Sequence, residues 1–298
     1  MRHFIFSGMI LVAPCLAADA SDNGPDIVEE SGIKGGLVVH LGCGDGSETL
    51  KLKSSDAWLV RGLDRNPGNI LIARKKISDA GLYGPVSVDT WNGTSLPFID
   101  NTVNLLIAEN RADIDMEECM RVLCPRGKLL LRQDGKWETT TKPLPGNTDE
   151  WSHALYRAHG NAVSRDQVAG PPKGLQWTAG PKWTRHHEAG SSFQAMVSAN
   201  GRVFYLLDDG PRVSLFLPSD WQLVARDAYN GKVLWKRPLK RWVTQFYNYK
   251  SGPTQMTRRL VAVGEQVFVA ANLDEGVTVV DAATGKTIRE LEHTADAE

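Results

Sequence analysis

VVHLGCGDG, residues 38–46, is the stretch that decides the fold of the first half of this chain. Its apolar start is typical of a short buried strand, and the glycines at alternate positions form a turn that leads into a helix from Ser47. A glycine turn after a strand brings backbone N–H groups next to the polar atoms of a ligand. Dinucleotide sites favour G-x-G-x-x-G, whereas the third glycine here, Gly46, comes one position earlier. The turn by itself is equally compatible with an ordinary tight turn.

The composition is ordinary for a globular protein. The 298 residues include 42% hydrophobic and 23% charged residues, and the net charge is −1. A length of about 100–200 residues per domain predicts two domains. The near-neutral charge gives no reason to expect nucleic acid or an anionic membrane as a partner. Beyond the N-terminal segment, Cys43, Cys119 and Cys124 are too few and too irregularly spaced to indicate a disulfide framework or a metal site.

The N-terminal segment, residues 1–20, has the pattern of a cleaved signal peptide. Arg2 precedes an apolar run over 4–16, and Ala18-Asp19-Ala20 offers a cleavage site. The run is shorter than the roughly 20 residues that span a bilayer. We therefore expect a periplasmic or secreted protein without a transmembrane segment after cleavage, and a flexible leader over 21–34.

The next hundred residues alternate between strand and helix patterns. Further strands are predicted over 58–63, 86–88, 103–108 and 128–132, and helices over 69–80 and 117–123. This alternation predicts an α/β domain over 35–142 with a mainly parallel sheet and helical crossovers.

Three polar or aromatic residues follow these strands. Asp64 ends the second strand, 22 residues beyond Gly42. An acid at about this distance from the glycine turn can accept the hydroxyls of a ribose; it can also cap the helix that follows. Asp89 and Trp91 follow the third strand, where Trp91 offers either a stacking surface or a core packing residue.

Two more motifs make the pattern specific. LPFID, residues 96–100, and ECMRVLCPRG, residues 118–127, are similar to the L-P-F-x-D and E-x-x-R-V-L-x-P-G-G of type 11 methyltransferases. The G-x-G-x-G turn resembles motif I of the class I S-adenosylmethionine (SAM)-dependent methyltransferases. The resemblance implies a Rossmann-like fold and SAM as cofactor.

The resemblance also implies which residues hold SAM. The loop of Gly42, Cys43, Gly44 and Gly46 is expected to face the methionine part, and His40 stands where the family has an acid for the amino group. Asp64 is expected to hold the ribose. Asp89 and its neighbours, Trp91 among them, are expected to hold the adenine.

Three departures weaken the expectation of catalysis. His40 replaces that acid, Asn104 replaces the usual Asp of the fourth strand, and Arg126 replaces a glycine. Only residues 136–142 follow the fifth strand, so the family's final antiparallel pair is expected to be shortened or lost. Because methyl transfer depends mostly on alignment, the sequence identifies no catalytic residue.

The second half contains an internal repeat. After a linker over 143–150, LVARDAYNGKVLW (223–235) matches VTVVDAATGKTIR (277–289). A strand that ends in D-A-x-x-G-K is typical of a propeller blade. Trp235 of the first copy corresponds to Arg289 of the second, and an inserted loop precedes the first copy.

This half, residues 151–298, resembles the pyrroloquinoline quinone repeat propellers. A propeller has roughly four to eight blades, whereas two or three repeats are visible, so we expect a partial propeller in an incomplete sequence. The quinone itself is not expected, because no Asp base or Ca²⁺ ligand set can be assigned.

Two charged clusters remain. Arg185-His186-His187-Glu188 suggests a metal, but adjacent histidines of a strand point to opposite faces, and we assign no metal site. The basic residues of 236–241, with Trp242 and Phe246, suggest either an anion site or a solvated blade edge.

Two functions are compatible with these patterns. The first is an exported SAM-binding methyltransferase of unknown acceptor, with the propeller as a binding scaffold. The alternative is a non-catalytic envelope interaction protein with a degenerate methyltransferase domain, since SAM is made in the cytoplasm. A quinone-dependent dehydrogenase rests on fold analogy alone.

Overall fold

The computed structural model of this chain describes residues 24–110, 114–171, 174–183, 185, 192–214, 216–240, 242, 254–271 and 275–294. Within these ranges the chain forms one six-stranded sheet and two four-stranded sheets. The predicted signal peptide, residues 1–20, lies outside the described residues.

The first domain is the predicted α/β unit. Its elements are α1 (Gly24–Ser31), β1 (Gly36–Leu41), α2 (Ser47–Lys51), β2 (Trp58–Asp64), α3 (Pro67–Asp79), β3 (Val86–Thr90), β4 (Val103–Ala108), α4 (Met116–Val122), β5 (Leu123–Gln133) and β6 (Lys136–Thr141). The strand order is β3-β2-β1-β4-β5-β6. Strands β1 to β5 are parallel and β6 is antiparallel to β5. The prediction of a mainly parallel sheet is confirmed.

The two faces of this sheet bury separate cores. Val38 and Val60 pack with α3 on one face, and Val39 and Leu106 pack with α4 on the other. All residues of β1 and β4 are buried, because helices cover both faces of a parallel sheet. The sequence runs of these strands are accordingly almost continuously apolar.

Two local predictions differ from the structure. Helix α3 begins at Pro67 rather than at residue 69, since the Asn66 side chain accepts a hydrogen bond from the Gly68 N–H at 2.9 Å and caps the helix. Residues 24–31 of the expected flexible leader form α1. The side chain of Val28 is only 3% exposed, because it joins the core on the α3 face.

The second half forms two antiparallel meanders. The first comprises β7 (Phe193–Ala199), β8 (Arg202–Asp208), β9 (Trp221–Asp227) and β10 (Val233–Leu239). The second, after a 3-10 helix (Thr254–Arg259), comprises β11 (Leu260–Val263), β12 (Gln266–Ala270), β13 (Val277–Asp281) and β14 (Thr287–Glu290). Strands that are consecutive in each meander pair with one another, and both sheets contribute to one hydrophobic core. In the part of the second half that the structure describes, these two sheets do not close into a ring.

The sequence repeat has a structural counterpart. A Cβ on Gly231 of the first D-A-x-x-G-K turn would lie 2.4 Å from the ring of Trp177, and a Cβ on Gly285 of the second would lie 2.7 Å from that of Trp235. The Trp177 indole donates to the Ala228 carbonyl at 2.9 Å, and the Trp235 indole to the Ala282 carbonyl at 3.1 Å. The glycine of each turn therefore leaves the space that an indole ring occupies.

The first of these turns docks on the amino edge of the parallel sheet. The Asn104 side chain donates to Asp227 Oδ2 at 2.6 Å, and its Oδ1 accepts from the Leu37 N–H at 2.8 Å and from Asn230 Nδ2 at 2.7 Å. Burial raises the pKa of Asp227. An aspartate at position 104 would place a second carboxylate against Asp227, which accounts physically for the asparagine.

Candidate functional site

The glycine loop is open on the side away from the sheet. Gly42 and Gly44 have φ of 77° and 52°, and no atom lies within 4 Å of a Cβ added to either. Gly46 has a different role, because its added Cβ would lie 2.8 Å from the Cβ of Ala73 on α3. Two glycines therefore leave space at the loop, and the third permits close packing of α3.

Asp64 faces this loop. Its Oδ2 accepts from the Gly44 N–H at 2.8 Å, and its Oδ1 accepts from the Asn66 N–H at 2.8 Å and from Asn69 Nδ2 at 3.2 Å. The residue is only 8% exposed. The hydrogen bonds that Asp64 accepts fix its carboxylate beside the loop. The N-cap of α3 that the sequence also suggested for Asp64 is provided by Asn66.

A cleft of about 320 Å³ lies in front of Asp64. It lies where β1, β2 and β4 end, and its lining residues are Leu41, Gly42, Asp64, Arg65, Trp91, Ala108, Glu109, Asn110 and Ile114. The strand order reverses between β1 and β4. Ligands of open α/β sheets bind at the carboxyl ends of strands at such a reversal.

The two later motifs contact each other beside the loop that follows Trp91, and neither of them lines the cleft. Glu118 accepts from the Leu96 N–H at 2.6 Å, and Arg121 donates to the Phe98 carbonyl at 2.9 Å and to Asp100 at 2.7 Å. The Trp91 indole donates to a carbonyl of the same loop at 2.9 Å. A hydrogen bond from Arg121 lowers the pKa of Glu118 to about 2. The conspicuous motifs thus fix the loop that supports Trp91.

Three residues predicted to bind the cofactor point elsewhere. His40 is buried with Nδ1 2.9 Å from Thr49 Oγ1, and burial lowers its pKa to about 4. Cys43 lies in the core, where burial raises the pKa of its thiol to about 12. The exposed carboxylate of Asp89 accepts from Arg74 at 3.0 Å. None of the three lines the cleft.

The cleft also contains two residues that the sequence patterns did not predict. The Arg65 guanidinium lies 5.3 Å from the centroid of the Trp91 ring, a distance typical of a cation–π contact. The carboxylate of Glu109 lies 4.0 Å from Arg132. Arg65 and Glu109 each directly follow a parallel strand, and that position is the signal that identifies them.

Other predicted features lie apart from this cleft. His186, His187 and Glu188 are outside the described residues, whereas Arg185 forms a buried ion pair with Asp208 at 2.8 Å. Among the side chains that the structure describes, no group of three or more His, Cys, Asp or Glu could hold a metal ion. Cys43, Cys119 and Cys124 are buried free thiols. No helix within the described ranges is long and apolar enough to cross a membrane.

Several known proteins are similar to part of this chain. Residues 38–127 match the family model described as a methyltransferase domain. The ubiquinone/menaquinone biosynthesis C-methyltransferase of Shewanella sediminis is 31% identical over 118 residues, which are 37% of this chain and 47% of that protein. Its counterpart in Hydrogenovibrio crunogenus is 26% identical over 152 residues, 48% of this chain and 59% of that protein. The chain spans about half the length of the curated relatives it matches.

Solved structures also resemble part of the chain. A SAM-dependent methyltransferase from Aquifex aeolicus is 23% identical, covers 37% of this chain and 62% of its own, and has a TM-score of 0.34. Geranyl diphosphate C-methyltransferase from Streptomyces coelicolor is 17% identical, covers 36% and 43%, and has a TM-score of 0.34. Residues 38–127 are thus similar to the methyltransferase domain family, and the sheet that they contribute to has the strand order of a Rossmann-like methyltransferase fold.

Proposed function

We propose that this domain binds SAM at the carboxyl edge of its sheet and transfers the methyl group to an acceptor that is still to be identified. The observation that carries the proposal is the Asp64 carboxylate, held 2.8 Å from the Gly44 N–H at the side of the open cleft. The residues present fit the cofactor, because Gly42 and Gly44 leave room for a ligand in front of the loop. A cleft of about 320 Å³ is within the size range of small-molecule sites.

Each part of the cleft has a role in this proposal. Asp64 accepts hydrogen bonds from the ribose hydroxyls, and the loop at Gly42 faces the methionine part. Trp91 belongs to the core, and the part of it that lines the cleft contacts the adenine. SAM, when bound, supplies a methyl group on a sulfonium sulfur. Methyl transfer then requires that the acceptor be aligned and water be excluded, and Ala108 and Ile114 provide apolar surface for this.

Calorimetric titration of the purified chain with SAM and with S-adenosylhomocysteine tests the binding. We expect one site per chain and, for Asp64→Ala, a loss of at least about a hundredfold in affinity, because two hydroxyls lose a charged acceptor. Asp89→Ala is the matched control, since that carboxylate is exposed and outside the cleft. Absence of binding to the folded wild type would overturn the proposal.

We propose further that the protein is exported and that its two meanders are blades of a propeller that serves as a scaffold for the acceptor or a protein partner. The signal-peptide pattern of residues 1–20 supports export. The shared core of the meanders and the repeated packing of an indole on a turn glycine support the blade interpretation. Fusion of residues 1–34 to a reporter that is active only outside the cytoplasm tests export, and cytoplasmic retention would contradict it.

The second candidate is a non-catalytic interaction protein. The buried His40, neutral because of its low pKa, favours this function, since it offers no charge to the cofactor's amino group. Incubation with SAM labelled at the methyl group and an envelope extract separates the two functions. Label transfer that Asp64→Ala abolishes supports the enzyme, and SAM binding without any transfer supports the alternative.

A further inference from the structure

The loop between β8 and β9 presents apolar side chains to solvent. Residues 209–220 have no equivalent in the second meander, where β12 and β13 are joined by a shorter connection. Val213 is 87% exposed, Phe216 72% and Leu217 38%. Burying such side chains is favourable, so their joint exposure on one short loop points to a binding role.

Buried charges fix the shape of this loop. Asp208 and Arg185 form an ion pair whose side chains are each only 1% exposed. Asp208 Oδ1 accepts from the Gly210 and Asp220 N–H groups at 3.0 and 2.9 Å. Arg185 donates to the Pro211 carbonyl at 2.9 Å and also to the Leu217 carbonyl. Removing two charges from water is costly, and here the pair holds both ends of a loop whose apolar side chains point outward.

Basic side chains outnumber acidic ones around the loop, where Asp209 is paired with Lys236 and Asp220 is exposed. Lys236 of β10 lies 2.8 Å from Asp209, and Lys240 directly follows Leu239, which pairs with Trp221 at the end of the loop. Arg212 is exposed within the loop itself. Trp183, 67% exposed with the Lys182 ammonium 5.6 Å from its ring, is two residues from Arg185. The chain as a whole is near neutral, whereas Lys182, Arg212 and Lys240 give this region a local excess of exposed positive charge.

We propose that the loop 209–220 attaches the protein to an anionic lipid surface. Val213 and Phe216 insert into the boundary between headgroups and acyl chains, and the basic residues around them contact the lipid phosphates. An exposed apolar tip with Lys, Arg and Trp at its base is the pattern of interfacial membrane binding. A protein partner would need a pocket for side chains that protrude singly, whereas a bilayer accepts them without a matching shape. This attachment is independent of SAM binding and needs no membrane-spanning segment.

Vesicle flotation of the whole chain tests the proposal, with phosphatidylcholine vesicles that contain or lack phosphatidylglycerol. We expect flotation with the anionic vesicles, reduced about tenfold or more by Val213→Ser with Phe216→Ser. Arg212→Ser with Lys240→Ser should weaken binding and lessen its salt dependence. The matched control is Leu71→Ser with Ile72→Ser, two exposed apolar residues of α3, which should leave flotation unchanged.

Three outcomes overturn the proposal. These are absence of flotation, flotation that the loop variant leaves unchanged, and equal binding to vesicles without phosphatidylglycerol. Sedimentation velocity in the absence of lipid adds an independent readout. If the loop variant dissociates a dimer of a wild type that does not float, the loop binds a second copy of this chain and the lipid proposal is wrong. Circular dichroism of each variant verifies that it is folded.

Discussion

The two edges of the six-stranded sheet differ in almost every physical respect. At the carboxyl edge a cleft of about 320 Å³ remains open beside Asp64 and the glycine loop. At the amino edge Asn104 is buried against Asp227 of the first meander. The two edges of the sheet therefore differ in what their residues contact. Positions at the carboxyl edge line an open cleft, whereas Asn104 at the amino edge contacts the first meander.

The largest expected effect in this comparison of the two edges concerns His40. This residue lies one position before the end of β1. Its pKa is 6.5 in a model compound and about 4 when buried in the folded chain. A His with a lowered folded pKa contributes stability above pH 6.5 that is lost as the pH falls towards 4, by about 3 kcal/mol in total. Urea unfolding of wild type and His40→Gln over this pH range should show the extra acid sensitivity in wild type only.

His40→Gln should also leave SAM affinity unchanged, because the side chain lies in the core and not in the cleft. A selective loss of affinity in a stable His40→Gln variant would show that position 40 holds the cofactor's amino group, as the family resemblance implies.

A somewhat smaller effect is expected at the amino edge. Asp227→Ala leaves Asn104 Nδ2 and the Tyr229 N–H without their acceptor, and we expect a loss of about 2 kcal/mol in the free energy of unfolding. Asp281→Ala is the matched control in the second D-A-x-x-G-K turn, where the half-buried Asp281 side chain accepts from Thr284. We expect it to cost about 0.5 kcal/mol. If denaturant unfolding shows equal losses for the two variants, the contact between Asp227 and Asn104 adds nothing to the free energy of unfolding.

The glycine loop itself allows a finer comparison. Gly46→Ala should cost about 1–2 kcal/mol of stability, because φ is 81° and the new Cβ meets Ala73. Gly44→Ala should cost about 1 kcal/mol for its φ of 52°, and it should also lower SAM affinity at least about tenfold by filling space in front of the loop. Calorimetry and urea unfolding on both variants separate the two effects. Undiminished SAM affinity in Gly44→Ala would mean that the loop does not face the cofactor.

The smallest effect is expected for Asp89→Ala. Its ion pair with Arg74 is exposed, and such pairs contribute about 0–1 kcal/mol. We expect stability to change by less than about 0.5 kcal/mol and SAM affinity by less than about twofold. A larger loss of affinity, measured by calorimetry, would support the adenine-binding role that the family resemblance implies for this residue.

The sequence was informative where backbone geometry decides the outcome. The parallel sheet, Asp64 beside the glycine turn and Trp91 at the edge of the cleft follow from strand periodicity and position. The sequence could not show that the Cys43 side chain enters the core or that Asp89 turns outward to Arg74, because side-chain direction depends on packing. It also could not explain Asn104, whose partner Asp227 lies 123 residues later in the chain.

The most direct test of the central claim is a map of ligand-induced shifts in the amide spectrum of the isotopically labelled chain during titration with S-adenosylhomocysteine. We predict saturable shifts at the Gly42, Gly44 and Asp64 amides and at the Trp91 indole, with none at Leu37 or Asp227 of the amino edge. Shifts confined to the amino edge, or no shifts at saturating ligand, would contradict the assignment of the carboxyl edge as the cofactor site.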